Sequence, residues 1–372
     1  MVDTKKILFA SYGDLSLTPP STNLVNYLAS IGQSITILSY HTDLKSLSSA
    51  VEVRNLSPTN NRDSVYSKLK GRILAHIALY DFLRKRAKEL DFIFVANWTY
   101  KFLDTVARFY GFQGKIVYQF HELEFSEFRH LRRADRVIIP EANRLWITYF
   151  RANLSEMPFL LPNIPSLDPG IIKSGDFTRL KAIRDSGKKI LLYQGYVDNK
   201  KRCLEELVEG LSLGPEIFDL VIMPSQNSSK SELDKVVAAS VKFGVEDRLH
   251  IVPSHPSPYH LNAITYADVG IGLYRPISLN QVYAAPNRLY EFARFNVPCI
   301  LPNFPHFVQL AKEYKFGINV VDPEQSTDIA KILHQLNLDG NFSEGRTNAS
   351  KFWEKNGEYS KFASIVWQNL ND

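Results

Sequence analysis

KILLYQGYVDNKKRCLEELVEGL, residues 189–211, carries the order of residue types from which the rest of the chain can be read. An apolar run of the kind that is buried on both faces of a parallel sheet ends at Gly195. A short polar loop with Lys200, Lys201 and Arg202 follows, and a helical stretch over 204–211 closes the unit. Strand, loop and helix in this order make one turn of a doubly wound α/β sheet, and the loop then lies at the carboxyl end of its strand, where such sheets bind ligands.

The same alternation extends in both directions. Upstream, strands are expected over 6–11, 34–39, 92–96, 115–120 and 136–139, with helices over 22–31 and 67–90. At 161–170, LPNIPSLDPG interrupts the pattern with three prolines and a glycine, which marks a domain boundary. Downstream, strands restart over 189–194, 219–223, 249–252, 269–273, 298–301 and 317–321. The last stretch, 349–370, spaces Phe352, Trp353, Tyr359, Phe362, Ile365 and Trp367 as an amphipathic helix. The expected architecture is α/β: two Rossmann-like doubly wound parallel-sheet domains, 1–165 and 166–348, facing a shared cleft. A terminal helix, 349–372, crosses back to the first.

At 372 residues the chain has the length of two ordinary domains, and its 45% hydrophobic and 22% charged residues are those of a globular protein. A formal charge of +5 fits phosphate-bearing ligands or an anionic membrane surface, and equally fits ordinary variation. It does not call for a nucleic-acid partner. Cys203 and Cys299 are the only cysteines, without metal-ligand spacing, so neither a disulfide framework nor a metal site is expected. With a polar start and no run of ~18 apolar residues, the expected location is cytoplasmic. The 67–90 helix sets Leu69, Ile73 and Ile77 among Lys68, Lys70, Arg72, Arg84, Lys85, Arg86 and Lys88. It reads either as a peripheral contact with anionic lipid at the inner face of the membrane, or as a core-facing stripe with a solvated basic back.

Several familiar signatures fail. There is no phosphate-binding G-x-x-x-x-G-K-[S/T] loop. Gly270-Ile271-Gly272 begins a dinucleotide fingerprint, but Arg275 breaks it inside an expected strand, where glycines signal close packing. Gly210-Leu211-Ser212-Leu213-Gly214 has the spacing of a nucleophile elbow yet ends a helix, where a hydrolase needs strand, sharp turn and helix.

A second stretch, AAPNRLYEFARFNVPCILP at 284–302, opens a helix with Pro286 and Asn287 and carries Arg288 and Glu291 one turn apart. Helix-opening amides plus Arg288 make an anion site, and Glu291 can accept from ribose hydroxyls. The other reading is a capped surface helix with an i, i+3 pair. Likewise, the basic loop reads as a phosphate site or as a solvated turn.

Together these residues resemble a known family. Tyr193-Gln194-Gly195 with Arg202, then Pro286-Asn287-Arg288-Leu289-Tyr290-Glu291, then Val297-Pro298 are similar to the donor half of the retaining GT-B "glycosyl transferases group 1" family. Leu161-Pro162-Asn163 and Ala267-Asp268-Val269 also match. The resemblance covers 185–325 well and 1–165 in outline. It implies a nucleoside-diphosphate sugar donor, a UDP-sugar, with a glycan or lipid-linked acceptor and no further cofactor or metal. Arg202 and Arg288 would neutralise the diphosphate, Glu291 would hold the ribose, and Asn287 would support the phosphate loop. Residues 253–258 would lie near the base. Gly195, Tyr196, Lys201, Leu289 and Tyr283 would complete the donor site.

The chain departs from the family in three places. Tyr283 stands where a second glutamate is usual, Tyr196 where an arginine often follows the glycine, and Thr18-Pro19-Pro20-Ser21 replaces a glycine-rich first loop. In the first domain, His121-Glu122 ends a strand as in similar family members, with His121 near the reacting sugar. The imidazole would orient the acceptor or donate to a sugar hydroxyl, or the pair would only fix a loop. Asp14 is a further candidate on the acceptor side. On the same architecture the alternatives are a nucleotide-sugar epimerase or hydrolase, and a catalytically silent subunit that stabilises a partner transferase.

Overall fold

Alternate residues of the strand at 189–195 go to opposite sides of its sheet. Ile190 and Leu192 join one apolar cluster, with Leu289, Phe292 and Phe307, while Leu191 and Tyr193 join another, with Leu204, Leu207 and Val208. That two-sided burial explains why the run is apolar throughout. The structure is a computed structural model that describes residues 4–11, 15, 18–39, 47–55, 65–96, 102–123, 128–165, 177–255 and 259–372. Of residues 55, 65–72 and 96 it describes the backbone alone.

The chain divides into two compact units, residues 1–165 with 359–372, and residues 166–358. In the first, β1 (Lys6–Ser11), β2 (Ser34–Ser39), β3 (Glu52–Asn55), β4 (Phe92–Ala96), β5 (Lys115–Gln119), β6 (Arg136–Ile139) and β7 (Phe159–Leu160) form one sheet. Its order is β3-β2-β1-β4-β5-β6-β7, and each pairing is parallel. In the second, β8 (Lys189–Gly195), β9 (Phe218–Pro224), β10 (Leu249–Ile251), β11 (Val269–Ile271), β12 (Cys299–Pro302) and β13 (Ile318–Val321) form another, ordered β10-β9-β8-β11-β12-β13 and also parallel. Both are Rossmann-like sheets with helical crossovers.

Local sequence features explain the joints. A Cβ on Gly270 would lie 2.3 Å from the Phe292 ring, so β11 lies hard against the helix Asn287–Arg294. The glycine serves packing. Gly210 to Leu213 belong to the helix Leu204–Leu213, with Ser212 Oγ donating to the Glu209 carbonyl, so no elbow forms. The aromatic terminal stretch is two helices, Asn341–Asn356 and Tyr359–Asn371, parted at residues 357–358. The second belongs to the first unit, where Trp367 meets Phe92 at 5.2 Å and Lys115 Nζ donates to the Leu370 carbonyl at 2.8 Å.

The long helix, Val65–Arg86, turns Ala75, Leu79, Phe82 and Leu83 into the core. Ile73 is 54% and Ile77 59% exposed. The core-facing reading therefore fails for Ile73 and Ile77, because the helix buries a different face, while the side chain of Leu69, the third member of the stripe, and those of Lys68, Lys70 and Arg72 lie outside the described residues.

Candidate functional site

The carboxyl edge of the second sheet surrounds a cavity of about 320 Å³. Gln194 and Gly195 reach it from the end of β8, Met223, Pro224 and Ser225 from the end of β9, and Tyr274 from just past β11. His255 and His260 come from the segment after β10, and Asn287, Arg288 and Glu291 from the first turns of their helix. Such an edge gathers loops from several strands, which is why doubly wound sheets bind ligands there.

Arg288 organises this cavity. Its guanidinium lies over Tyr193, 4.8 Å from the ring centroid, and within 5.9 Å of Tyr274. Burial works against its charge, but Tyr193, Tyr274 and Glu291 outweigh that and keep it a cation. Nη1 is buried and finds no hydrogen-bond partner among the described residues. A sheltered guanidinium nitrogen without an acceptor is costly unless a ligand supplies one. Gly195 makes the arrangement possible: its φ is +124°, and a Cβ there would lie 2.8 Å from Arg288 Nη2.

Arg202 comes to the same ring from a different segment, with its guanidinium 4.4 Å from the Tyr274 centroid and its Nε buried with no hydrogen-bond partner among the described residues. Two arginines distant in sequence thus approach one aromatic ring. Their neighbours Lys200 and Lys201 stay exposed, and Lys201 Nζ sits 3.5 Å from Asp198, so the solvated-turn reading holds for the lysines only.

Glu291 is buried, and its helix is therefore not the solvated surface helix of the other reading. Gln194 Nε2 donates to one carboxylate oxygen at 3.0 Å, and His260 Nε2 lies 3.6 Å from the other. A carboxylate has about four acceptor positions, so capacity remains for two ribose hydroxyls. Asn287 lines the cavity at the first position of the helix. Leu289 points the other way, into the hydrophobic core. Tyr196 is 43% exposed and its carbonyl accepts from Tyr193 Oη, while Tyr283 ends the short helix Leu279–Val282. Neither lines the cavity. Tyr274, Ser225 and His260 were not singled out in the sequence, although Tyr274 directly follows an expected strand and Ser225 lies two residues past one. His255 falls in the 253–258 stretch, of which 256–258 lie outside the described residues.

In the first unit, His121 follows β5 as expected, half-buried. Its Nε2 lies 2.9 Å from Ser21 Oγ, and Arg144 donates to its carbonyl. Glu141 orients Arg144 by accepting from the Arg144 and Asn143 backbone at the start of the helix Ala142–Ala152. Glu122 is exposed, and Asp14 lies outside the described residues. Burial first, and then the Arg144 charge, hold the His121 pKa down at about 4. The unfolded chain, with an ordinary value near 6.5, binds the extra proton first, so stability is lost as pH falls from above 6.5 toward 4. His121→Gln should remove a loss on the order of 3 kcal/mol between pH 7 and pH 4. Urea titrations of both proteins check this, and parallel pH profiles would place His121 in an ordinary solvated setting.

No protein-family model matches this chain, and no curated protein matches it in sequence. Solved structures do match over the full length. HepE of Anabaena, solved with UDP, superimposes with a TM-score of 0.70 at 13% identity, over 98% of this chain and 99% of that one. A glycosyltransferase from Rickettsia africae gives 0.72 at 11%, over 99% and 98%. Sucrose-phosphate synthase from Thermosynechococcus elongatus gives 0.67 at 16%, over 98% and 99%. The fold is of the GT-B class. At these identities the likeness speaks for the fold, and the site must be argued from its own residues.

Proposed function

We propose that the protein is a retaining, metal-independent glycosyltransferase that draws its sugar from a nucleoside diphosphate, specifically a UDP-sugar. The observation that carries the reading is the sheltered Nη1 of Arg288, with no acceptor among the described residues, beside Gly195 in a cavity that also holds Glu291. A diphosphate offers charged oxygens to that nitrogen, and a ribose offers hydroxyls to the carboxylate. HepE structures hold UDP, UDP with glucose, and UDP-glucose, which favours uridine as the nucleoside here.

In this reading Arg202 and Arg288 hold the diphosphate as it departs with the charge of the broken glycosidic bond. Positioned cations of this kind contribute several kcal/mol to catalysis. Asn287 and the backbone of Gly195 border the phosphates, and Glu291, braced by Gln194, fixes the ribose. His121 and Glu122 serve the acceptor, a glycan or lipid-linked saccharide. Incubation with a panel of nucleotide sugars, with and without saccharide acceptors, tests the proposal. Acceptor-dependent release of nucleotide is expected. Acceptor-free conversion would make the protein an epimerase or hydrolase, and silence across the panel would make it a subunit that stabilises a partner.

Peripheral membrane contact belongs to the same proposal. Among the described residues no helix is long and apolar enough to cross a membrane. The exposed Ile73, Leu74 and Ile77, on the helix that ends in Arg84, Lys85 and Arg86, favour docking to anionic lipid. Co-sedimentation with vesicles containing phosphatidylglycerol should exceed that with phosphatidylcholine alone by about tenfold at low salt. Equal binding to both vesicles would remove the membrane from the proposal.

A further inference from the structure

A neutral imidazole carries its proton on one nitrogen, and which nitrogen decides whether the ring meets a ligand as donor or as acceptor. The neighbours of His121 decide it. Gln119 Nε2 donates to the Pro20 carbonyl at 3.2 Å, which turns the amide oxygen toward Ser21. Ser21 Oγ lies 2.8 Å from that oxygen and 2.9 Å from His121 Nε2. An amide oxygen only accepts, and a hydroxyl has a single hydrogen. Ser21 therefore donates to Gln119 and must accept from His121, which places the ring proton on Nε2. Ser21 and Gln119 are both buried, so water does not stand in for either partner. The charge of Arg144, which is buried and bonded to the His121 carbonyl, opposes a second ring proton.

We propose that Ser21, backed by Gln119, is a positioning residue that locks His121 as the Nε2–H tautomer, so that Nδ1 accepts a hydrogen bond from a sugar hydroxyl. In this arrangement the imidazole would meet the sugar as an acceptor and not as a donor. It also assigns a task to the Thr18-Pro19-Pro20-Ser21 segment. Pro19 and Pro20 open the helix Pro19–Ser30 with fixed φ, and so hold both the Pro20 carbonyl and Ser21 in place for the relay. The part of the proposal that concerns sugar rests on the transferase reading, whereas the tautomer does not.

The test uses the full chain with ¹⁵N-labelled histidine rings and long-range ¹H–¹⁵N correlation, the His121 signals being assigned by their loss in His121→Gln. The parent protein should show a protonated Nε2 and a bare Nδ1. Ser21→Ala should lose that single pattern, and Ser21→Thr, which keeps the hydroxyl, should restore it. With donor and acceptor, Ser21→Ala should lower kcat about five- to tenfold at unchanged donor KM, the loss of one well-placed hydrogen bond. A proton on Nδ1 in the parent, or an unchanged Nε2–H pattern in Ser21→Ala, overturns the lock. If the tautomer shifts while kcat holds, the lock stands and the sugar-facing role of His121 falls.

Discussion

Arg288→Ala is expected to weaken UDP binding by about 1.5–3 kcal/mol, or roughly ten- to 150-fold, while uridine binding barely changes. The guanidinium lies 4.8 Å from the Tyr193 ring and 5.9 Å from that of Tyr274, with Nη1 lacking an acceptor among the described residues, so a diphosphate would gain a desolvated, charge-assisted partner that a nucleoside would not touch. Arg202→Ala should move in the same direction, because its guanidinium lies 4.4 Å from the same Tyr274 ring that lines the cavity. Glu291→Ala should show the contrary pattern and weaken uridine and UDP alike, since in the proposed site its carboxylate, braced by Gln194, would hold the ribose hydroxyls and not the phosphates. Calorimetric titration of the three variants with both ligands separates these effects. UDP binding at the parent affinity in both arginine variants would dismantle the diphosphate clamp.

Gly195→Ala should reach nearly the same loss of UDP affinity without touching a charged group. Its φ of +124° is one that an L side chain rarely adopts, at a cost of about 1–3 kcal/mol in stability. The added methyl would stand 2.8 Å from Arg288 Nη2, and the guanidinium has little room to yield because two tyrosine rings confine it. The variant should therefore melt several degrees lower and bind UDP at least about tenfold more weakly, again sparing uridine. Thermal unfolding and the same titration read the two effects separately. If stability falls but UDP affinity holds, the close approach of Gly195 to Arg288 is a packing detail and not part of the anion site.

Much of the fold was legible because a parallel strand buried on both sides has to be apolar along its whole length. β1, β2, β4 and β6 lie at the bounds expected from the sequence, and β8 extends one residue further to Gly195. β3 and β7 escaped notice for the same reason. Glu52–Asn55 is an edge strand that tolerates charge, and Phe159–Leu160 is too short for any pattern. The chemistry of the site was partly legible too. Arg288 and Glu291 stand three residues apart, so a helix sets them on one face, and the spacing of Leu289 and Phe292 sets those on another.

By itself, then, the sequence determined the two doubly wound sheets, the loop after β8, and a helix with an arginine and a glutamate in phase. Only the tertiary structure decided how adjacent side chains are placed. Lys201 and Arg202 are adjacent and equally basic, yet one pairs with Asp198 in solvent while the other is turned onto Tyr274. No local rule separates them, because the ring beside Arg202 comes from the loop after a different strand, β11, and local spacing carries no information about which strand end lies alongside. Ser21 and His121 meet for the same reason, a hundred residues apart in the chain and 2.9 Å apart in space. Sheet order, set by the burial of whole strands, brought these side chains together.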